Sequence, residues 1–349
     1  MVLTEKIAPW PKRGPDIEFG AAAAPQLAIV VHTEEEFDWG APFDRSADTV
    51  SHVTELAAFQ TAAHAQGFAP HYSCGYPIAR DPDAAAFFKP LFAAGEASLG
   101  THLHPWVCPP FEEDVINKNS FPGNLPPALE EAKLNALTQQ LEETFSIRPT
   151  AYLAGRYGYG PGTSAALSKL GYKVDFSVAP GWDYRRYDGP NWRDHSAMAF
   201  FNADHPKLLH VPHSGGHVGF LCKAGLRQLK LSEDGAANAL KLPSIAARLG
   251  AVRQARITIE GTALADMKAL ARALFDGGVR LFTLSFHSPS AGIGWTPYAK
   301  TGADRDALLE KMCAFLAFFV AELGGAPGSP DSFYAAASAA QTQRAERAA

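Results

Sequence analysis

Cysteine is scarce in this chain. Four occur in 349 residues, at Cys74, Cys108, Cys222 and Cys313, with no C-x-x-C pair. That scatter excludes a dense disulfide framework or a cysteine-built metal site and reads as free thiols in a reducing compartment. Basic residues show no excess. Lys and Arg number 31 against 36 Asp and Glu, giving a formal net charge of −5 and a pI near 6.2. Nucleic acid is therefore not an expected partner. No apolar run approaches the ~18 residues of a membrane span. The longest near the end, Met312 to Leu323, is broken by Glu322. The opening MVLTEKIAPWPKRGPDIEFG lacks the apolar stretch of about 7–15 residues that marks a secretory signal, so the expected location is the cytoplasm. Internal repeats are absent too, and oligomeric state is not legible in one chain.

What is present is a large apolar fraction, 47%, and an alternation of strand and helix patterns. Short apolar strands are expected at Leu27–Val31, Phe68–Tyr72, a segment ending near His102, Thr150–Leu153, Lys173–Val178, Leu208–Val211 and Leu281–Phe286. Helices are expected from a Ser46 cap through Ala63, and at Asp83–Ala94, Pro127–Phe145, Thr163–Leu170, Leu264–Phe275 and Asp304–Leu323. The Pro127–Phe145 helix carries Leu134, Leu137, Leu141 and Phe145 on one stripe. Prolines forbid regular structure between Pro105 and Pro127. The Ala/Gln/Arg-rich end, Ala335–Ala349, reads as a fraying helix or as disorder. Seven strands separated mostly by helices predict a parallel α/β barrel or a doubly wound sheet, and the length suits one barrel domain.

Parallel α/β proteins gather chemistry at the C-terminal ends of their strands. Here those ends run into HTEEEFDW from His32, THLHPW from Thr101, GRYG from Gly155, PHSGGH from Pro212 and HSPS from His287. In extended chain, residues i and i+2 share a side. His102 and His104 therefore face one way, and so do His32, Glu34 and Glu36. Two imidazoles with one carboxylate suit zinc or another first-row divalent metal. The His pair reads equally as hydrogen-bonded loop residues, and the acidic run as a solvated face. His287 ends the apolar strand LFTLSF and reads as a satisfied core histidine or a catalytic one. Arg156, between two glycines, reads as a surface ion pair or as an oxyanion orienter. His213 and His217 read as substrate ligands or loop polar residues. Trp39, Trp106 and Tyr157 read as an aromatic wall for a sugar ring or as packing.

Taken in order, HTEEEFDW, GTHLHPW, AGRYGYGPGT and FHSPSAGIGWTPY resemble the motifs of the polysaccharide deacetylases of the NodB-homology family. NSFPGNLPPALEEAKLNALT and FLAFFVAELGG are similar to a divergent WalW-type branch of it. The resemblance spans residues 26–335, leaving 1–25 as an N-terminal extension and 336–349 as a tail. It implies a distorted (β/α)7 barrel and metal-dependent removal of N- or O-acetyl groups from an amino-sugar glycan. It implies Glu34, His102 and His104 as metal ligands, with zinc expected and cobalt, nickel or manganese as alternatives. His32 stands where the family has an acidic general base, so His32, or else Glu36, is the expected base. His287 is implied as the acid that protonates the leaving group. Arg156 is implied as an orienter supported by Asp175. Two features depart from the pattern: the histidines of the second motif are closer together than usual, and an imidazole replaces the acidic base. Two other readings therefore stand beside the first: a hydrolase of small amides on the same scaffold, and a non-catalytic glycan-binding protein.

Overall fold

The computed structural model describes residues 10–219 and 252–348. Cys222 and residues 1–9 lie outside them. The remaining cysteines, Cys74, Cys108 and Cys313, are free. In chain order the elements are β1 (Arg13–Asp16), β2 (Gln26–Thr33), α1 (Leu56–Ala65), β3 (His71–Cys74), α2 (Tyr76–Arg80), α3 (Pro82–Ala93), β4 (Ser98–Leu103) and α4 (Pro127–Phe145). Then come β5 (Ala151–Ala154), α5 (Thr163–Leu170), β6 (Val174–Asp175), β7 (Phe200–Asn202), β8 (Leu209–His210), β9 (Gly215–Val218) and β10 (Arg253–Arg256). The last are α6 (Leu264–Asp276), β11 (Leu281–His287), α7 (Gly302–Leu323), β12 (Ala326–Pro327) and α8 (Pro330–Ala348).

Seven strands form one parallel run in the order β8-β6-β5-β4-β3-β2-β11, matching the seven expected from the sequence. Parallel pairing sends every strand's C-terminal end to the same edge of the sheet. β7 and β1 extend the run antiparallel beyond β8, and β12 pairs with the start of β2. At the far side of β11 the chain is bridged rather than bare. Ser285 N donates to Ile257 O at 3.1 Å, Ile257 N to Ser214 O at 2.8 Å, and His213 N to Val178 O at 2.8 Å. These bonds run from β11 through the end of the antiparallel β9–β10 pair to the chain after β6 and β8. The architecture is a mixed α/β sheet covered by helices.

Local chemistry accounts for the differences from expectation. Phe68 is not the start of a strand. Its N–H donates to Ala63 O at 3.0 Å and Gly67 adopts φ 81°, which ends α1 and delays β3 to His71. Ser46 does not cap a helix, because the Asp44 carboxylate accepts from Ser46 N at 2.9 Å and makes a turn instead. The stripe on α4 is as expected: Leu134, Leu137, Leu141 and Phe145 are all buried. The chain from Ala335 is helical, within α8, and Ala337 is buried. The proline-rich segment after β4 is pinned by Lys133, whose ammonium donates to the carbonyls of Pro105, Cys108 and Pro110 at 3.0, 2.6 and 2.7 Å and pairs with Glu113 at 2.9 Å. Among the described residues no helix is long and apolar enough to cross a membrane.

Candidate metal centre

β2 is apolar and buried from Leu27 to Val31, and its continuation through His32, Glu34, Glu35 and Glu36 stays buried, none more than 4% exposed. The acidic run is therefore not a solvated face. Register sets the neighbours. His287 of β11 pairs with His32 of β2, and their rings lie 4.5 Å apart. His32 also meets His102 of β4, at 5.2 Å between centroids.

The decisive contact is between His102 and Glu34. His102 Nδ1 lies 2.9 Å from Leu153 O. A carbonyl only accepts, so Nδ1 carries the proton and Nε2 presents a lone pair. That lone pair faces Glu34 Oε2 at 3.3 Å. Burial, with His104 beside it, lowers the His102 pKa and keeps the ring neutral despite Glu34. Two lone-pair atoms at this separation repel unless a cation sits between them. His32 Nε2 and Glu34 Oε1 are also buried with no partner. One donor atom each from His32, Glu34 and His102 lies within 4.8 Å of the others, and this is the one such group among the described residues. Two neutral imidazoles and a carboxylate fit a divalent cation.

The structure brings together only part of the ligand set expected from the sequence. His104 is not in the group. Its Nε2 lies 3.5 Å from Glu34, but its Nδ1 is held by Glu35 at 2.8 Å and its ring is stacked on Trp106 at 4.2 Å. His32 takes its place. Burial holds the His32 pKa well below the ordinary imidazole value, and the neighbouring histidines add to this.

His287 has the opposite character. Burial works against its charge, but Glu260 Oε2, 2.7 Å from Nδ1, and Glu34 outweigh it and raise the pKa to about 9. A quarter of the side chain, 24%, reaches solvent. Glu260 escaped the sequence reading. It lies in the short ITIEG segment after β10, where Ile257 and Ile259 alternate with Thr258 and Glu260.

Glu36 is committed elsewhere. Its Oε1 lies 2.9 Å from His52 Nδ1, and His52 Nε2 lies 2.8 Å from Ser288 Oγ, which accepts from Glu34 N at 3.2 Å. In the neutral ring Nδ1 donates to the carboxylate and Nε2 accepts from the hydroxyl. Although burial opposes it, hydrogen bonds from His52 and Ser51 bring the Glu36 pKa to about 2. Such a carboxylate is a weak base. The chain of contacts ties the loop after β2 to the loop after β11 and fixes the backbone of Glu34.

Arg156 and Asp175 stand apart from this centre and from each other. Arg156 and Tyr157 both have positive φ, 53° and 58°. Two consecutive left-handed non-glycine residues are a strained turn. It sends Tyr157 to His32, 5.6 Å between rings, and Arg156 the other way. The Arg156 guanidinium donates to Asn117 Oδ1 at 2.9 Å and to Ser120, over the Phe121 ring at 4.0 Å. Asp175 is paired with His210, its register partner on β8, at 2.8 Å. Trp106 is buried beneath His104. Trp39 packs edge-on to His287 at 4.8 Å and lines a cavity of about 740 Å³ with Trp295 and Lys300. His213 is fully buried, 5.5 Å from His32, with neither ring nitrogen partnered, while His217 on β9 is exposed.

No family model matches the sequence, and no curated protein does. Solved structures do. A Mycobacterium smegmatis protein assigned to the polysaccharide deacetylases shares 15% identity over 95% of this chain and 96% of its own, with a TM-score of 0.51. Puue allantoinase aligns at 12% identity over 87% of each chain, TM-score 0.46, and a CE4 family pseudoenzyme from Bacillus anthracis at 11% over 50% of this chain and 49% of its own, TM-score 0.32. The first likeness defines the class as a deacetylase-like α/β fold and extends no further than fold. The other two add nothing to it.

Proposed function

We propose that this chain is a metal-dependent hydrolase that removes N- or O-linked acetyl groups from an amino-sugar glycan. The observation that carries the reading is the pair of facing lone pairs on His102 and Glu34, with His32 Nε2 unpartnered beside them. The motif set supports the WalW-type branch of the NodB-homology family, and the shared fold agrees with that family.

His32, Glu34 and His102 would hold the cation, zinc ahead of cobalt, nickel or manganese. When bound, a divalent ion there polarises an acyl carbonyl and acidifies water. The residues of the chain supply the rest. The base that takes the proton of the attacking water is expected at His32 or Glu36, and His32 is taken up as a ligand in this reading. Glu36 is excluded from that task by its bonds to His52. His287, protonated near neutral pH by virtue of Glu260, donates to the departing nitrogen or oxygen. Trp39 packs against this acid and lines the cavity where a sugar ring would lie, while the Tyr157 ring is covered by Tyr184 and Arg256. The cavity beside Trp39 has the exposed Trp295 at its mouth, which favours a polymer over a small amide.

The test is metal analysis of the purified protein together with acetate release from N-acetylated and O-acetylated oligosaccharides. About one divalent ion per chain is expected, with release lost on chelation and restored by zinc. Protein that holds no metal and is not stimulated by any of the four ions would overturn the reading. His32, Glu34 and His102 then form an empty constellation, and the non-catalytic alternative takes over.

A further inference from the structure

Arg256, the last residue of β10, has no task in the reaction described above. Its guanidinium lies between two rings, 4.1 Å from the centroid of Trp182 and 4.6 Å from that of Tyr157. Nη1 donates to the Tyr157 hydroxyl at 2.6 Å and Nη2 to the Tyr184 hydroxyl at 3.2 Å. Nε is buried and has no acceptor. Among the described residues no carboxylate pairs with this half-buried group, whereas His287 has Glu260 and Lys133 has Glu113. Phenol oxygens are neutral near pH 7. Stacked rings soften the cost of an enclosed guanidinium but bring no countercharge.

The position of this cation is informative. Tyr157 is shared. One part of it carries Arg256, and its ring meets His32 at 5.6 Å and His213 at 5.1 Å. His213 is a second, independent sign of a missing ligand, since it is fully buried and both its nitrogens lack partners. Arg256 and His213 thus offer unmatched polar groups about one ring's width from the proposed metal centre. A guanidinium has five N–H bonds, of which the two tyrosines use two. The free Nε–H and a remaining terminal N–H form the edge that takes a carboxylate in two parallel bonds.

We infer that the substrate of this site carries a carboxylate, bound by Arg256, close to the acyl group that is removed. This rests on the hydrolase reading for where the substrate lies. The chemical class is an acylated amine or ester bearing a carboxylate, which an acidic amino sugar and an N-acyl amino acid both satisfy. Arg256 is on this account a specificity determinant, and the neutral sugar is a poor ligand.

Equilibrium binding to the zinc-loaded full chain tests this without turnover. The probes are 2-acetamido-2-deoxyglucuronic acid with its uronamide, and N-acetylglycine with its amide. Each pair differs only in charge at one group. At least one acid is expected to bind tenfold or more tightly than its amide, and the pair that shows the difference identifies the source of the carboxylate. Arg256→Met should abolish the difference between acid and amide, while Arg256→Lys should keep part of it as a point charge. Equal binding of acid and amide to the wild type, a comparison that needs no variant, overturns the inference. So does a preference that survives Arg256→Met, which would mean the ion itself captures the carboxylate. Acid-selective binding with no acetate release refutes the hydrolase reading alone, and acetate release with no acid preference refutes this one alone.

Discussion

At the scale of single residues, the working unit is His287 with Glu260. An imidazole enclosed as His287 is would ordinarily lose its proton, and the carboxylate 2.7 Å away reverses that, to a pKa of about 9. The protonated form is the one that donates, so the reaction should persist to the alkaline side and fall as pH rises through that value. His287→Ala is expected to lower kcat by about 10²–10⁴-fold while metal content stays unchanged. Glu260→Gln keeps a hydrogen-bond partner but removes the charge. Its alkaline limb should move to lower pH by about one unit or more, with KM little altered. A pH–rate profile of both variants beside metal analysis checks this, and loss of the ion from His287→Ala would show that His287 is a ligand instead. The sequence made part of this site legible. Strand alternation places His32 and Glu34 on one side, and the same rule faces His102 inward. It cannot say that His104 will fall outside the ligand group, because its placement depends on a contact with Glu35 in another loop. Glu260 and Arg256 were not legible for a related reason. They sit on a short segment held against β11 by tertiary hydrogen bonds, and its alternation of Ile257 and Ile259 with polar residues does not say which site its polar side chains join.

At the scale of elements, the seven parallel strands were legible because each lies in or beside a buried apolar stretch of the chain. β1, β7, β9, β10 and β12 were not. They span two to four residues, as β3, β5, β6 and β8 also do, but their pairing is imposed by neighbours. The contact of α4 with α5 shows how a motif can be structural. Gly123 and Gly160 approach so closely that a Cβ on Gly160 would fall 2.0 Å from Gly123 O, which accounts for glycine in both FPGN and YGYGPG. Beside them Glu130 of α4 is buried against α5, with Oε1 accepting from Thr163 and Oε2 without a partner. Burial raises its pKa to about 8 from 4.5, only partly offset by Thr163. The folded chain binds this proton more tightly than the unfolded one. The contribution of Glu130 to stability is therefore complete below about pH 4.5 and lost as pH rises through about 8. Glu130→Gln keeps the shape and removes the ionisation. It should stabilise the protein by roughly 2–4 kcal/mol at pH 9 and have little effect at pH 4.5. Denaturant melts at the two pH values decide the matter, and an equal effect at both would mean that Glu130 ionises freely in the fold.

At the scale of the whole molecule, the centre joins segments far apart in the chain. His32 lies near the end of β2 with Glu34 just beyond it, His102 lies near the end of β4, and β3 lies between the two strands in the sheet. The loop after β2 is fastened to the loop after β11 through Ser288 and His52. Such a site does not exist in the unfolded chain, so an ion bound there favours the folded state by mass action. At a free concentration about 100 times Kd the gain is about 2.7 kcal/mol. For a chain of this size that is a shift of a few degrees in Tm. Chelation should therefore lower Tm, and zinc should restore it. His102→Ala should melt at the chelated temperature whether or not zinc is added, because Glu34 then lacks the imidazole that faces it. His104→Ala should respond to zinc as the wild type does, since it is outside the ligand group. This pair of variants separates the two ligand sets directly. Calorimetric scans of the three proteins with and without chelator are sufficient. A zinc response abolished by His104→Ala and kept in His102→Ala would restore the set expected from the motifs. Identical melts for the wild type under both conditions would remove the metal from the fold altogether.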